Sequence, residues 1–495
     1  MNVYRSFVKD NWSVLLGHLL TDIRGIILMP LIIKTVGVSI YGGYALLASL
    51  LGIVFGISSF GVNFRCKRYL PSSRSDQNRR ELFYPQLYFQ VGTLLFFSFL
   101  LIVFDRFVKQ LFFKGEVEFS IIIGVLYLFT YMFFSQTNDY LRYTGRITKG
   151  VFQSVAFSYL HIIFILSIYF SLHIIDINLL IGSQALAALL ISLSFIFVIL
   201  KEIGFVFITY NRKNLIKDIK LGFPLVLAYI VDVILYSSDR YVIAYFMTVT
   251  AVGYYNPGYA LGGFIALFPK AFGMVLPQFI SKSVDQGRKE EAQLMLNYTL
   301  KGFLIVAIPF CVGCAVLSKP LLILLANPEV AEKSKLVAPI VALGTLFYGM
   351  NAILSNVLFV LLKTATIFKM NLTSALLNLV LNVVLLYFFR NILIAAITTF
   401  VSYFIVFIFI RRSVLADWPV DFHFESVMKS IAASLLMGAI LIWMSSALGV
   451  HALQITYVLA EIAFCIIFYF AVLFAFGTFS QKELLYMRKV FYSVD

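Results

Sequence analysis

The stretch YGGYAL at Tyr41–Leu46 recurs as NPGYAL at Asn256–Leu261, and DQNRRE at Asp76–Glu81 recurs as DQGRKE at Asp285–Glu290. In each copy the Gly-Tyr-Ala-Leu sequence opens an apolar run, and the cluster of acidic and basic residues closes it. The first pair is offset by 215 residues (256 − 41) and the second by 209 (285 − 76), so the two copies differ by an indel of six residues. An internal repeat of this length in an apolar chain predicts a transporter built from two like halves, with its pathway between them.

The composition is that of a membrane protein. Apolar residues make up 61% of the chain and charged residues 13%, against about 45–50% and about 25% in soluble domains. A transmembrane helix needs about 20 mostly apolar residues. Fourteen stretches meet this requirement, at 12–36, 41–64, 85–105, 119–139, 151–172, 178–200, 221–247, 254–280, 298–318, 337–361, 370–389, 391–410, 428–448 and 453–477. The sequence therefore predicts an all-α polytopic membrane protein with about 14 transmembrane helices.

The repeat also predicts how these helices are grouped. Each copy contains six spans, and because six is an even number both copies enter the membrane in the same direction. We therefore expect two parallel six-helix bundles plus two C-terminal helices. The corresponding domains are residues 1–210, residues 211–420, and residues 421–495 with spans thirteen and fourteen and a cytoplasmic tail.

The net charge of +15 does not indicate nucleic-acid binding, because most of the 39 Lys and Arg residues lie in segments on one side of the predicted spans. Positive segments stay in the cytoplasm, so we predict that the N- and C-termini are both cytoplasmic. The densest basic cluster, from Arg65 to Arg80, is interpreted as a topology signal that contacts anionic lipids. No nucleic-acid partner is expected.

Sequence motifs for ATP use or catalysis are missing. The chain has no Gly-x-x-x-x-Gly-Lys-Ser/Thr loop, no Asp-x-Asp and no His-Glu-x-x-His. Its four cysteines lie in apolar surroundings without a nearby histidine, so we interpret them as small hydrophobic residues. We predict that the protein is not an enzyme, binds no metal and carries no cofactor.

Several ionisable residues fall inside predicted spans, where a charge costs about 2.5–3.5 kcal/mol on insertion scales. Such residues are expected to face the protein interior or a water-filled cavity, and thereby to mark the transport pathway. They lie on the first, seventh and eighth spans: Asp22 and Arg24; Asp232, Asp239 and Arg240; and Lys270.

Two interpretations of these charges remain open. In one, the neighbouring acids and bases of the first and seventh spans neutralise one another between the bundles. In the other, the bases form a cationic cavity for an anionic ligand, and one of the acids carries a coupling proton or sodium ion. The cavity candidates are Arg24, Lys270 and Arg240, and the coupling candidates are Asp232, Asp22 and Asp239. Asp232 is preferred for coupling because it has no base beside it in the sequence.

Polar residues on the eleventh span form a separate pattern. Asn371, Asn378 and Asn382 are spaced by seven and four residues, so they share one helix face. We predict that they make hydrogen bonds to a neighbouring helix.

Two longer segments carry a resemblance to a known family. They are NW…GHLL…PLIIKTVGVSIYGGYAL within Asn11–Leu46 and GFPL…SSDRYVIAYFMTVTAVGYYNPGYAL within Gly222–Leu261. With the fourteen spans, they resemble the polysaccharide transporters, which are the O-antigen type flippases of the multidrug/oligosaccharidyl-lipid/polysaccharide (MOP) exporter superfamily. The resemblance covers essentially the whole chain.

The resemblance implies a V-shaped flippase that works by alternating access. Its cargo would be an undecaprenyl-pyrophosphate-linked oligosaccharide, carried across the inner membrane for surface polysaccharide synthesis. Partners would be this cargo, membrane lipids and the polysaccharide polymerase machinery, and proton or sodium coupling would drive transport. The related lipid II flippases keep arginines on the first helix, a position that here falls on Arg24.

Two other functions compete with this one. A multidrug or small-solute/cation antiporter of the same superfamily would need an acidic, aromatic-lined cavity without a cationic centre. The presence of Arg24 and Lys270 argues against such a cavity. A membrane enzyme such as an oligosaccharide polymerase would need a large external loop, and the longest predicted external loops, near 106–118 and 319–336, are too short to fold alone.

Overall fold

The computed structural model describes residues 2–73, 75–208, 210–416, 418–448 and 455–479, and within these ranges it contains helices and no strand. Fifteen helices of at least 15 residues follow one another in the described part of the chain. They are α1 (Asn2–Val36), α2 (Val38–Ser58), α3 (Asp76–Val103), α4 (Ile121–Tyr143), α5 (Ile147–Leu172), α6 (Ile177–Ile203), α7 (Arg212–Phe246), α8 (Val249–Gly263), α9 (Leu267–Asp285), α10 (Lys289–Leu325), α11 (Val337–Val360), α12 (Thr364–Phe389), α13 (Ile392–Leu415), α14 (Phe424–Leu448) and α15 (Ile455–Ala475). Short helices cover Asn63–Tyr69, Asp105–Val108 and Pro328–Ser334.

Each predicted span coincides with one of these helices or, for the eighth, with a pair of them. Twelve helices in the described ranges are long and apolar enough to cross a membrane on length and composition alone. The other two predicted spans are α1, which carries Asp22, Arg24 and Lys34, and the segment formed by α8 and α9. The prediction of an all-α polytopic membrane protein is confirmed.

The eighth span is interrupted, and its proline residues explain where. A 3₁₀ turn at Phe264–Ala266 separates α8 from α9, and Pro269 follows in the first turn of α9. Proline has no backbone N–H, so it is tolerated in a first turn, where that group has no partner within the helix. The helix therefore restarts just before Pro269 instead of running straight through it.

Contacts between Cα atoms divide the chain into two compact units. The first comprises Met1–Asn256 with Val383–Arg390, and the second comprises Pro257–Asn382 with Asn391–Asp495. In the first unit α4 packs most extensively on α6, and in the second α11 packs most extensively on α13. The predicted domains, 1–210, 211–420 and 421–495, follow the repeat instead of these contacts, and that division stays a prediction.

The core of the second unit holds the C-terminal pair of helices in place. A buried cluster joins α10 to α14 and α15, with Leu317, Leu441 and Leu473 among its members. Tyr469 of α15 is also buried, and its Oη donates a 2.6 Å hydrogen bond to the carbonyl of Ile305 in α10. The appended helices are thus bonded to the bundle by a specific polar contact as well as by apolar packing.

Corresponding residues of the two repeats make corresponding contacts after the sixth helix of each copy. Tyr88 Oη donates to the carbonyl of Val206 at 2.9 Å in the first unit. In the second unit the backbone N–H of Asp421 donates to Asn297 Oδ1 at 3.2 Å. The offsets are 209 (297 − 88) and 215 (421 − 206), the two values found for the repeated motifs. The repeat thus extends to three-dimensional contacts within each unit.

The basic residues of the repeated DQ motifs make a second pair of matching contacts. Arg80 Nε donates to the carbonyl of Ile203 at the end of α6. Lys289, offset by 209, lies 5.0 Å from the ring centre of Trp418, which is offset by 215 from Ile203. These bases therefore secure the segment that leaves the last helix of each repeat.

Part of the basic cluster is engaged in ion pairs instead of being free for lipids. Glu202 pairs with Arg79 and, at 2.7 Å, with Arg146, while Arg65 pairs with Asp218 at 3.4 Å. Lys67 and Arg68 are exposed, and Arg74 lies outside the described residues.

The predicted hydrogen bonding of the asparagine stripe on α12 is confirmed for two of its three members. Asn378 Nδ2 donates to Thr399 Oγ1 at 3.1 Å, and Asn382 Oδ1 accepts from Thr398 Oγ1 at 2.7 Å, which links α12 to α13. Asn371 makes no such bond within the part of the chain that the structure describes.

Candidate functional site

A cavity of about 380 Å³ lies within the first unit, between α1, α2, α7 and the start of α8. Two arginines face it, one from α1 and one from α7. The remaining polar and aromatic lining comes from Tyr41, Tyr44, Ser49, Tyr229, Ser237 and Asn256. The cavity therefore combines positive charge with hydroxyl, amide and aromatic groups.

Arg24 is the first of these arginines, and its guanidinium group forms no ion pair within the described residues. Its Nη1 atom is buried and has no hydrogen-bond partner within the described residues. The guanidinium carbon lies 5.5 Å from the ring centre of Phe157, a cation–π contact. Asp22, two residues earlier, is exposed and makes no ion pair with Arg24 in the described part of the chain. Arg24 and Asp22 therefore form no ion pair with each other in the described residues, and both interpretations of the charges stay open.

Arg240 and Asp239 are neighbours on α7 with different surroundings. Asp239 is buried, and its Oδ2 accepts a 2.8 Å hydrogen bond from Tyr255 Oη. Arg240 lines the cavity with Arg24. The structure thus brings two of the three predicted cavity bases together.

Glycine residues on α2 and in the turn that follows it allow α7 to approach closely. A Cβ atom at Gly56 would lie 2.5 Å from Tyr229 Oη and nearer still to two carbons of the ring. Tyr229 Oη donates to the carbonyl of Gly52 at 2.8 Å. At Gly61, where φ is +71°, a Cβ would lie 2.7 Å from the Cα of Gly222 on α7. Only residues without a side chain allow this crossing.

The two copies of the repeated motif meet in the cavity wall. Asn256 Nδ2 donates to Tyr41 Oη at 3.3 Å, and these are the first residues of NPGYAL and YGGYAL. A Cβ at Gly253 would lie 2.7 Å from Val38 Cγ1, and that pair has the same 215-residue offset (253 − 38). Both contacts join positions that correspond in the two copies of the repeat.

A smaller cavity of about 250 Å³ lies between α1, α4 and α5. Arg24 lines it as well, together with Asp22, Arg142, Ser154 and Ser158. The larger cavity extends along α1 from Arg24 to Leu28, and the smaller one extends from Arg24 back to Gly17. Arg24 is therefore common to two polar cavities.

Two predicted site residues lie apart from both cavities. Asp232 is exposed on α7, and within the described ranges it makes no hydrogen bond and no ion pair. Lys270 is exposed on α9 in the second unit and lines neither cavity. Their predicted roles stay predictions.

Comparison with known protein families identifies the family to which the chain belongs. The family model described as polysaccharide biosynthesis protein matches residues 7–282, more than half of the sequence. The chain belongs to this family. The MatE family model also matches, over residues 224–384. An uncharacterized membrane protein of Methanocaldococcus jannaschii is 24% identical over 372 residues, which cover 71% of this chain and 72% of the relative.

Solved structures with a similar fold are those of membrane transporters. The lipid II flippase MurJ, in an inward closed conformation, matches with a TM-score of 0.73 at 17% identity, over 94% of this chain and 98% of that one. An inward-facing multidrug resistance MATE family transporter of the MOP superfamily matches with a TM-score of 0.66 at 13% identity, over 81% and 95%. A MOP superfamily transporter from Pyrococcus furiosus gives 0.56 at 12%, over 83% and 96%. The chain is a multi-pass membrane protein of the MOP superfamily, as its resemblance indicated.

In this member of the family, the sequence pointed to the arginines but not to the tyrosines around them. Charges inside spans are rare enough to stand out, whereas Tyr41, Tyr44 and Tyr229 are three of 28 tyrosines. One signal was available, because Tyr41 and Asn256 open the two copies of the repeated motif. Their contact depends on how the copies meet, which the repeat alone does not give.

Proposed function

We propose that the protein is a flippase that carries an undecaprenyl-pyrophosphate-linked oligosaccharide across the inner membrane for surface polysaccharide synthesis, by alternating access. The observation that carries this proposal is the cavity shared by Arg24 and Arg240. Guanidinium groups bind phosphate oxygens with two parallel, charge-assisted hydrogen bonds. Two such groups in one cavity suit the pyrophosphate of a lipid carrier.

The neutral part of the lining suits the sugar. Tyr41, Tyr44 and Tyr229 offer phenol rings and hydroxyls, and Asn256 offers an amide. Hydroxyls and amides both donate and accept hydrogen bonds, which matches the hydroxyl-rich surface of an oligosaccharide. Aromatic rings supply apolar contact faces with a polar edge.

An apolar cavity in the second unit suits a lipid tail. It measures about 450 Å³ and is lined by groups such as Pro309, Phe310, Leu441 and Phe470. Burying hydrocarbon there is favourable by about 25 cal/mol per Å² of apolar surface removed from water. We assign this cavity to part of the isoprenoid chain.

Further parts of the proposal concern coupling, orientation and partners. Lys270 supplies a further positive charge for the pyrophosphate. Asp232 is the coupling acid, and its protonation or sodium binding changes the charge of the pathway. Asp22 and Asp239 are the other candidates for this coupling role. Both termini lie in the cytoplasm, as the distribution of basic residues indicates. The cargo and membrane lipids are the direct partners, and the polymerase machinery receives the product.

A multidrug or small-solute/cation antiporter is the competing function, and the MatE match over residues 224–384 favours it. An organic cation would be repelled by Arg24 and Arg240, each of which carries a positive charge at every physiological pH. The charge of the cavity supports an anionic cargo.

Reversal of the cavity charge tests the proposal. Arg24→Glu and Arg240→Glu should each abolish surface polysaccharide in a complemented deletion strain while membrane levels remain normal, and Arg24→Lys should retain part of the activity. Arg106→Glu is the matched control, because Arg106 is exposed and lines neither cavity. Full polysaccharide with Arg24→Glu, or reconstituted transport of an organic cation by the unmodified protein, would reject the flippase.

A further inference from the structure

The smaller cavity in the first unit has the composition of a binding site in its own right. The polar lining that α1, α4 and α5 supply includes Thr21, Asp22, Arg24, Arg142, Ser154 and Ser158. Its volume of about 250 Å³ accommodates a single phosphate or carboxylate group with water, whereas an oligosaccharide is too large for it.

Two guanidinium nitrogens in this cavity have no partner. Arg24 Nη1 and Arg142 Nε are both buried, and neither makes a hydrogen bond within the ranges that the structure describes. A buried donor that lacks an acceptor destabilises the protein, and a donor of a charged group does so more strongly. Unsatisfied buried groups of this kind are often explained by a bound water or ion.

The nearby carboxylates do not meet this need. Asp22 lines the same cavity, and Asp139 lies one turn before Arg142 on α4. Within the described part of the chain, neither carboxylate forms an ion pair with Arg24 or Arg142. Two positive charges against one negative charge therefore line the cavity itself.

One hydroxyl group adds a neutral donor. Ser158 makes no hydrogen bond with any described residue, so its O–H is available to a ligand. Ser154 Oγ instead donates to the carbonyl of Gly150 at 3.2 Å and accepts from Asn138. Gly150 leaves room for Arg142, because a Cβ there would lie 2.8 Å from Arg142 Cγ. Guanidinium and hydroxyl donors that face one small cavity are the chemistry of an oxyanion site.

We propose that this cavity is a second oxyanion subsite, formed by Arg24 and Arg142 and separate from the cavity of Arg24 and Arg240. The assignment of its ligand to the cargo rests on the proposed function. With the predicted orientation the subsite lies on the cytoplasmic side of Arg24. A phosphate of the cargo then binds first between Arg142 and Arg24, and moves on between Arg24 and Arg240 without leaving Arg24.

Equilibrium dialysis of the purified full-length protein with radiolabelled inorganic phosphate tests this arrangement at low ionic strength. The unmodified protein should show two classes of site. Arg142→Gln should weaken one class by at least about tenfold, and Arg240→Gln should weaken the other, because each removes a charge-assisted donor. Arg106→Gln is the control and should change neither.

A variant that binds phosphate more tightly cannot be explained by misfolding, so it provides a separate test of this proposal. Asp22→Asn removes a negative charge from the smaller cavity alone, so it should tighten the class that Arg142→Gln weakens, by roughly threefold or more. The second subsite is overturned if Arg142→Gln binds phosphate at two classes of site with the affinities of the unmodified protein, or if Asp22→Asn leaves phosphate binding unchanged. If the unmodified protein binds phosphate only at the class of site that Arg142→Gln weakens, and Arg240→Gln has no effect, the proposed cargo cavity is rejected while this subsite is retained.

A competitor identifies the source of the oxyanion. Farnesyl pyrophosphate that displaces phosphate from both classes assigns both to a lipid-linked cargo. If farnesyl pyrophosphate displaces phosphate from the Arg240 class alone, the smaller cavity is a site for a free anion. That result supports the oxyanion site but refutes the transfer of cargo from Arg142 to Arg24.

Discussion

Two glycines one turn apart on α2 should respond in opposite directions to the same substitution. A Cβ at Gly52 has nothing within 4 Å, whereas a Cβ at Gly56 would overlap the ring of Tyr229. Gly52→Ala should therefore show only the higher helix propensity of alanine and stabilise the protein by about 0.5–1 kcal/mol. The carbonyl of Gly52, which accepts from Tyr229, is unchanged by this substitution.

Gly56→Ala should instead destabilise the protein by about 1–3 kcal/mol. Forcing a methyl group into a filled space costs about 1–3 kcal/mol, and moving the Tyr229 ring breaks its hydrogen bond to Gly52, which contributes about 1 kcal/mol. The gain in helix propensity offsets up to about 1 kcal/mol of this.

Unfolding of the purified protein in mixed micelles with increasing SDS, followed by tryptophan fluorescence, provides the measurement. In a Tyr229→Ala background the overlap and the hydrogen bond are both gone, so Gly56→Ala should become neutral or stabilising, with a coupling energy of about 2–4 kcal/mol. The contact is wrong if Gly56→Ala is as stable as Gly52→Ala, or if its effect is the same with and without the Tyr229 ring.

Four further outcomes are expected. Asp232→Asn should slow flipping in proteoliposomes and remove its response to an ion or pH gradient, and a normal response would exclude Asp232 from coupling. Reporter fusions at the two termini should both report the cytoplasm, and an external C-terminus would contradict the fourteen-span topology. Burial raises the pKa of the Cys66 thiol, and the other three cysteines are also buried, so the native protein should resist maleimide; rapid labelling would contradict their burial. Hydrogen bonds from Lys335 and Lys319 lower the pKa of Glu332, so the stability from this cluster is present above the unfolded pKa and is lost as the pH falls through the lowered folded pKa. Glu332→Gln should therefore be less stable than the unmodified protein at pH 7 and should match it only at a pH below that folded pKa.

The number of spans was predictable from the sequence because hydropathy is a local property. The first span could be recognised despite Asp22, Arg24 and Lys34 because its apolar residues continue around them. The break at Phe264–Ala266 was not predicted, although Pro269 lies three residues beyond it. A proline in the sequence shows which backbone N–H is missing, but the position at which the helix ends also depends on how the surrounding residues pack, and this cannot be read from the sequence.

The site was predictable only as far as charge is informative. Arg24 and Arg240 were expected in one cavity because charges in spans must be placed away from lipid. The sequence separated Asp239 from Asp232 by the arginine beside Asp239, but it did not show that Asp239 is buried and accepts from Tyr255 whereas Asp232 is exposed. Arg142 was overlooked because it lies at the end of α4, where a basic residue is also expected as a topology signal. The distinction depends on which neighbours each side chain has, and these come from distant parts of the chain.

The contact between Tyr41 and Asn256 has a further consequence for the cavity. A twofold axis that passes between equivalent positions would place identical groups on either side of it, so that a ligand would meet the same chemistry in two opposite orientations. Here a phenol faces an amide. The symmetry of the repeat is broken at this contact, and the proposed cargo, which has a head and a tail, would therefore be bound in one orientation in preference to its reverse.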